Sequence, residues 1–512
     1  MPTETFHNPF EDTTISKMPD PCILVIFGAT GDLTARRLIP ALYNVAYEGL
    51  LPSHFACVGF ARRDKSHEQF REEMLTAVST HSRNKPVDNK VWLSFSEQLF
   101  YHRSEFDCDE GYERFAKQLE ELDARFGTKA NRIYYLSTPP SHFGTIVQKL
   151  HKHNLLYNKS QTTKFSRVVI EKPFGHDLPS AIELQQQMAE VLDESQIFRI
   201  DHWLGKETVQ NILVLRFANS IFESLWNNHH IDHVQISVSE DIGVGTRGNF
   251  FEEAGTLRDI VQNHMMQLLS LVAMEPPINL TADAIRDEKV KVLSSIRPIP
   301  SDQIDQYAVR GQYGPGFVGG EPVIGYRQEE NVSPNSSVET FVALKLFVDN
   351  WRWAGVPFFL RTGRRLPKRA TEIAIFFKDP PGVLFNAIVP NTPNALVIRI
   401  QPDEGLSFKI SSKVPGSGML IQPVKLDFKY SSHFGVSPPE AYERLLCDCV
   451  VGDLTLFARQ DEVLASWRLL NPIINHWKEK PPSQFPNYSA GSWGPEEANR
   501  LIEQEGRNWR LI

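Results

Sequence analysis

The apolar positions of the chain change character along its length. From Cys22 the run CILVIFG is unbroken, rich in β-branched residues and closed by Gly28, which suits a strand covered on both faces. In the following ATGDLTARRLIPALYNVAYEGL, Leu33, Leu38, Ala41, Leu42 and Val45 recur at helical spacing and Gly49 offers a stop. HFACVGF predicts a second buried strand closing on Ala61, Arg62 and Arg63. Strand, helix and strand in this order form the βαβ unit that opens a parallel sheet. The runs RIYYLST at 132–138 and FSRVVIEKPFG at 165–175 repeat the theme, predicting one doubly wound α/β domain over residues 21–200.

Beyond Arg199 one or two helices give way to HVQISVSE, ETFVALKLFVD, TEIAIFFK and ALVIRIQP, in which apolar and polar residues alternate. Period-two alternation predicts strands with one buried face, as in an antiparallel sheet packed against helices, so residues 201–512 are expected to be α+β. The segment from Gly311 to Asn335 is dense in Gly, Pro and Tyr without periodicity and is expected to be a long loop. Residues 1–20 mix acids, hydroxyls and prolines with no apolar run, the pattern of a frayed polar lead-in and neither a signal peptide nor a membrane anchor.

Charge and cysteine content narrow the class. The 54 basic against 62 acidic side chains leave a formal charge of −8, which argues against a main task of coating nucleic acid or an anionic membrane. Of the five scattered cysteines only Cys447 and Cys449 are close, and Cys-Asp-Cys makes no zinc spacing. On a strand the two would share a face as a reduced, half-buried pair, in keeping with a reducing, cytoplasmic setting.

Five stretches carry candidate chemistry. Gly28-Ala29-Thr30-Gly31-Asp32-Leu33 lies between a strand and a helix, where a phosphate needs exposed amides and no obstructing side chain; a tight turn without ligand is the rival reading. Arg62 and Arg63 follow the second strand, where an NAD-preferring unit carries an acid, so the pair points to the 2′-phosphate of NADP, against a merely solvated basic corner with Asp64 still within reach of a ribose. Lys172, in Glu-Lys-Pro-Phe-Gly, sits at a strand end where ligands of open α/β sheets collect, and its bond to Pro173 is a candidate cis peptide. In Arg-Ile-Asp-His-Trp-Leu-Gly-Lys-Glu from Arg199, His202 and Lys206 make a compact cationic site suited to a phosphate monoester, unless Asp201 and His202 are only a local cap. His264 lies on an apolar stripe with Leu257, Val261, Leu268 and Val272, and is either a core residue or a base oriented by Asp201; Thr256 and Asp259 have capping-box spacing.

Together G-A-T-G-D-L, E-K-P-F-G, R-I-D-H-W-L-G-K-E and R-D-I-V-Q-N-H, in this order and at these separations, closely resemble the glucose-6-phosphate dehydrogenase family from about Pro21 to the C-terminal region. The resemblance implies a Rossmann-type α/β coenzyme domain and an α+β domain whose large, mainly antiparallel sheet serves a homodimer or a dimer of dimers. It implies oxidation of C1 of glucose 6-phosphate to the lactone with reduction of NADP+, the first step of the oxidative pentose phosphate pathway, without a metal. His264 matches the general base, Asp201 the carboxylate that holds it, and Lys172 a bridge between sugar and nicotinamide. His202 and Lys206 match phosphate ligands, and Glu240, Asp259 and Gln401 residues that bind sugar hydroxyls. The sequence departs from the family at Trp203, where tyrosine is usual, and at Arg37 near the cofactor and Arg364 near the substrate, where lysine is usual. With Trp203 the phenolic hydrogen bond to the phosphate is lost, the indole N–H being the alternative donor, and phosphate binding is expected to be weaker or differently shaped with activity retained. An E-K-P strand end also occurs in the glucose–fructose oxidoreductase and inositol dehydrogenase family, and the cluster at His202 and Lys206 argues against that rival.

Overall fold

The computed structural model describes residues 19–157, 164–381, 393–416, 418–434, 439–482 and 484–512. Most of the expected polar lead-in, residues 1–18, lies outside the described residues.

The first sheet contains β1 (Cys22–Phe27), β2 (Phe55–Ala61), β3 (Leu99–Arg103), β4 (Arg132–Leu136), β5 (Ser166–Glu171) and β6 (Ile197–Ile200), parallel and ordered 3-2-1-4-5-6. Every residue of β1 and β2 is buried, as their unbroken apolar runs require of strands covered on both faces. Between them the chain makes a tight turn and enters a helix whose π-type first turn, Thr34–Leu38, continues as Ile39–Tyr47.

The second sheet contains β7 (Ile231–Ser239), β8 (Ala308–Gly311), β9 (Phe341–Phe347), β10 (Pro357–Gly363), β11 (Ala370–Phe377), β12 (Ala395–Gln401), β13 (Gly405–Lys413) and β14 (Ile421–Lys429). Its order is 14-13-12-11-7-10-9-8, and every neighbouring pair is antiparallel except β7 and β10. The helices Glu207–Phe217 and Met266–Ala273 pack together, and the first also lies on β12. At the end of Met266–Ala273 the carbonyls of Leu271, Val272 and Ala273 accept from Arg216, Trp226 and Trp353, so buried donors satisfy groups that a helix end leaves open.

The C-terminal part returns to the first sheet. β15 (Phe457–Ala458) pairs antiparallel with β6, and the helix Gln460–Glu479 packs on the helix Leu178–Ala189. Inside this return lies the buried pair Lys289–Glu462, at 2.7 Å, with Gln267 donating to the same carboxylate.

Two local expectations are corrected. Cys447 and Cys449 lie on a helix, Ala441–Val451, because Leu445, Leu446, Cys449 and Val450 form a helical stripe that ends at Gly452 in the left-handed region. The two thiols therefore face differently: Cys449 is buried and Cys447 partly exposed. The stretch from Gly311 to Asn335 is only partly a loop. Gly316–Val318 and Glu321–Val323 form a hairpin around Gly319 and Gly320, both at positive φ, and Tyr313 pairs with Tyr488.

Candidate active site

At the cofactor end, Gly28 has φ +81°, and a Cβ there would stand 2.2 Å from the Ser137 carbonyl oxygen, so no other residue fits without moving β4's exit. The N–H groups of Gly28 and Gly31 donate to Phe60 O and Gly28 O, both at 2.9 Å. The glycines thus shape the turn, and their own amides are not the outward-facing donors expected from the motif; the turn's tightness consumes them. Ala29 is buried, Thr30 and Leu33 are partly exposed, and exposed Asp32 pairs with Arg36 at 2.6 Å. Arg62 and Arg63 are exposed at the end of β2, and Arg103 at the end of β3 stands beside them, since Ala61 and Arg103 are register partners. Asp64 pairs with Arg103 at 3.1 Å, both side chains being largely exposed. Arg37 lies at the surface on Glu440.

The other end is built around His264. It sits on the π-helical segment Leu257–Met265, which runs on into Met266–Ala273. Such widened turns are frequent at functional sites. The helix start is not the Thr256–Asp259 capping box: Thr256 makes no side-chain cap, and Glu339 accepts from Leu257 N at 3.0 Å. Gly255, at φ +63°, permits this, because a Cβ there would meet the Glu339 carboxylate at 2.4 Å. Asp259 is thereby free to face inward.

Nδ1 of His264 donates to Asp201 Oδ1 at 2.5 Å, and both side chains are almost wholly buried. Asp201 Oδ1 also accepts from Trp203 N, which anchors the turn after β6. With Nδ1 committed, the lone pair of His264 is on Nε2, and there Lys172 Nζ approaches to 3.0 Å. Lys172 follows β5 through a cis bond to Pro173, and its ammonium also donates to Asp259 O at 2.7 Å and Oδ1 at 3.1 Å. Arg364 joins the far oxygen of Asp259, at 3.1 Å, to Glu240, at 2.9 Å. Glu240, Arg364, Asp259, Lys172, His264 and Asp201 are thus one connected chain of ionisable groups.

A second group lies alongside. Lys206 Nζ donates to Gln401 Oε1 at 2.5 Å, and Gln401 in turn to Thr371 at 3.0 Å, so Gln401 stands with the phosphate candidate and not with Glu240 and Asp259. Trp203 joins the two groups: its indole stacks on His264, and Lys206 lies 5.0 Å from a Trp203 ring centroid. His202 meets His264 edge-on at 4.8 Å.

Burial and neighbours set the charges. Burial opposes ionisation of Asp201, yet His264, His202 and Lys172 hold its carboxyl well below the ordinary range. Asp259 is held low in the same way, by Lys172 and Arg364 against burial. Burial, with the Lys172 charge, lowers His264 despite Asp201, and burial with His264 and Lys172 drives His202 far down. Lys206 falls to about 8 through burial and the nearby Arg369. Asp201, His202 and His264 bring donor atoms within 4.8 Å of one another, but the Nδ1 hydrogen bond commits two of the three to each other.

Three contributors escaped the motifs. Tyr442, on the helix Ala441–Val451, stacks on His202 and donates to Glu171, which also accepts from Tyr135. Arg103 and Arg369 add cations at the two ends of the site. None stands near a glycine signature; Arg369 alone had a cue, in the basic run RRLPKR.

A glycine-shaped strand-to-helix turn with arginines at the next strand ends, opposite a carboxylate-held histidine, defines a dinucleotide-dependent oxidoreductase. Two family models match almost the whole chain: the glucose-6-phosphate dehydrogenase NAD binding domain over residues 25–211 and the glucose-6-phosphate dehydrogenase C-terminal domain over 213–510. The chain belongs to the glucose-6-phosphate dehydrogenase family and is an oxidoreductase that oxidises glucose 6-phosphate. It is 57% identical over 497 residues to glucose-6-phosphate 1-dehydrogenase of Chlamydia pneumoniae, covering 96% of each chain. It is 45% identical over 488 residues to that of Bacillus subtilis, covering 95% of this chain and 98% of the relative. A solved glucose-6-phosphate dehydrogenase in complex with its substrate glucose-6-phosphate superimposes with a TM-score of 0.87 at 37% identity, covering 97% of this chain and all of that one.

Proposed function

We propose that this chain oxidises C1 of glucose 6-phosphate to 6-phospho-D-glucono-1,5-lactone with NADP+ as acceptor, the first step of the oxidative pentose phosphate pathway. The observation that carries the proposal is a buried histidine whose Nδ1 is held by Asp201 and whose Nε2 faces Lys172. Arg62, Arg63 and Arg103 suit a 2′-phosphate. Gly28, Ala29, Thr30, Gly31, Asp32 and Leu33 form the phosphate turn, with Arg37 at its flank. Bound there, NADP+ supplies the hydride acceptor.

His264 Nε2 takes the proton of the C1 hydroxyl. For this Lys172 must leave Nε2 and turn its ammonium to the sugar oxygen, where its positive charge stabilises the negative charge that develops as the proton leaves. Asp201 stabilises the imidazolium that results and keeps the ring in place. Glu240, Arg364 and Asp259 present carboxylates and a guanidinium to the sugar hydroxyls, while His202 and Lys206, with Gln401 bonded to Lys206, receive the phosphate, and Trp203 lies between Lys206 and the base.

The partners proposed are NADP, glucose 6-phosphate and a second copy of the chain, as homodimer or dimer of dimers, with no role for nucleic acid or membrane. Exposed Leu420, Val424 and Leu426, at or on the edge strand β14, support the second copy. No helix among the described residues is long and apolar enough to cross a membrane. All five cysteines are free, which supports a reducing, cytoplasmic setting.

Initial rates at the reduced-nicotinamide absorbance, with glucose 6-phosphate or glucose against NADP+ or NAD+, test the proposal. Turnover mainly with the phosphorylated sugar and NADP+ is expected. Equal specificity constants for glucose, or preference for NAD+, would overturn the phosphate or the arginine assignment respectively.

A further inference from the structure

We infer that Trp203 is a positioning residue for the base: its indole face holds the His264 imidazole and favours the charged ring formed when His264 takes a proton. The inference rests on the role proposed for His264. The indole is 5% exposed, and its ring centroid lies 4.7 Å from that of His264 with the planes 6° from parallel. A face-on contact of this kind leaves the indole's π surface against the imidazole, where an imidazolium is attracted by the ring quadrupole and a neutral imidazole much less so.

The surroundings make that contact matter. His264 is faced by Asp201 at Nδ1, by Lys172 at Nε2 and by His202 edge-on, with Asp259 on its own helix. Asp201 and Asp259 favour the cation, whereas Lys172 and burial oppose it. Trp203 covers a flat face of the ring. Tryptophan has the strongest π face of the aromatic residues, so tyrosine or phenylalanine in its place should hold the imidazolium less well.

The test is the series W203Y, W203F and W203L in the full chain, read in two ways. Steady-state rates with glucose 6-phosphate and NADP+ should show kcat falling along the series, by about 2- to 30-fold in W203L, while KM for the sugar phosphate moves little. In the enzyme without substrate or cofactor, the 13C-labelled His264 ring, assigned by its loss in His264→Ala, should titrate at lower pH in the same order. A raised KM with unchanged kcat would make Trp203 a phosphate contact and overturn the inference, as would a His264 titration that does not move or moves upward. If W203L does not fold, W203F, which retains a buried ring, gives the same comparison. If the wild type fails to turn over glucose 6-phosphate, the proposed function fails, while the titration still decides the contact.

Discussion

Replacing Asp201 by Asn removes one charge and almost no volume. In the structure its carboxylate lies 2.5 Å from Nδ1 of His264, with both side chains 1–2% exposed, so water cannot take over the interaction. When His264 accepts a proton the two charge centres are roughly 4 Å apart, and at an effective dielectric of ~20 that attraction is about 4 kcal/mol. The neutral amide forfeits most of it, and its N–H can donate to Nδ1, which would move the ring hydrogen to Nε2 and close the base. A loss of about 10²–10³-fold in kcat is expected. KM for the sugar phosphate should change by less than about threefold, because Asp201 contacts the base and not the phosphate group. Initial-rate absorbance across substrate concentrations separates the two, with a thermal melt to show that the variant is folded. A folded D201N enzyme with kcat within about fivefold of the wild type would refute the assignment of His264 and Asp201 as base and orienting acid.

Further expectations follow from the same groups. Lys172→Met removes a cation that lowers His264, so the acid limb of kcat/KM should move to higher pH while kcat falls; a limb moving the other way would show that Lys172 does not bear on the base. Lys206 loses its charge above about 8 in the free enzyme, so KM for glucose 6-phosphate should rise on the alkaline side, and Lys206→Met should abolish that rise; an alkaline limb persisting in the variant would assign it elsewhere. Asp201 and His264 are both depressed in the folded state, so the unfolded chain binds more protons than the native one, and their stabilisation is present above ~6.5 and lost as pH falls through the folded values. Melting temperatures measured from pH 7 downward should therefore fall, and in D201N the fall below about pH 4, where the carboxylate itself titrates, should be shallower. Arg103→Glu should weaken NADP+ at least tenfold more than NAD+, since arginine at this place favours a 2′-phosphate; equal losses would place Arg103 outside the specificity site.

The parts legible in the sequence were those encoded by neighbours in the chain. β1 and β2 are buried on both faces, and their apolar runs were unbroken; β7, β9, β11 and β12 were legible as strands from their alternation, but the expected single buried face is corrected, because nearly every residue in them is buried, polar positions included. The base and its acid were legible only as candidates, because residues 201 and 264 meet through the packing of the segment Leu257–Met265 against the turn after β6. Tyr442 was invisible for the same reason: its hydroxyl reaches Glu171 across 271 positions. The Cys-Asp-Cys stretch and the Thr256–Asp259 cap failed differently. In each a short local pattern was outweighed by a longer one, the apolar stripe of Ala441–Val451 and the carboxylate of Glu339. Arg103 was hidden because strand register, not spacing, brings it beside Arg62 and Arg63.

The return of the chain to its first sheet has a consequence for how the protein is made. Asn44 and Arg83 in the first domain wait for Glu443, and β6 waits for Phe457 and Ala458 before its outer edge is paired. A nascent chain carrying only the first two hundred residues therefore presents an open strand edge, and His202, made soon after, still lacks Tyr442 on its ring. The enzyme's competence arrives late in synthesis, with the last fifth of the polypeptide rather than with the motif that opens it.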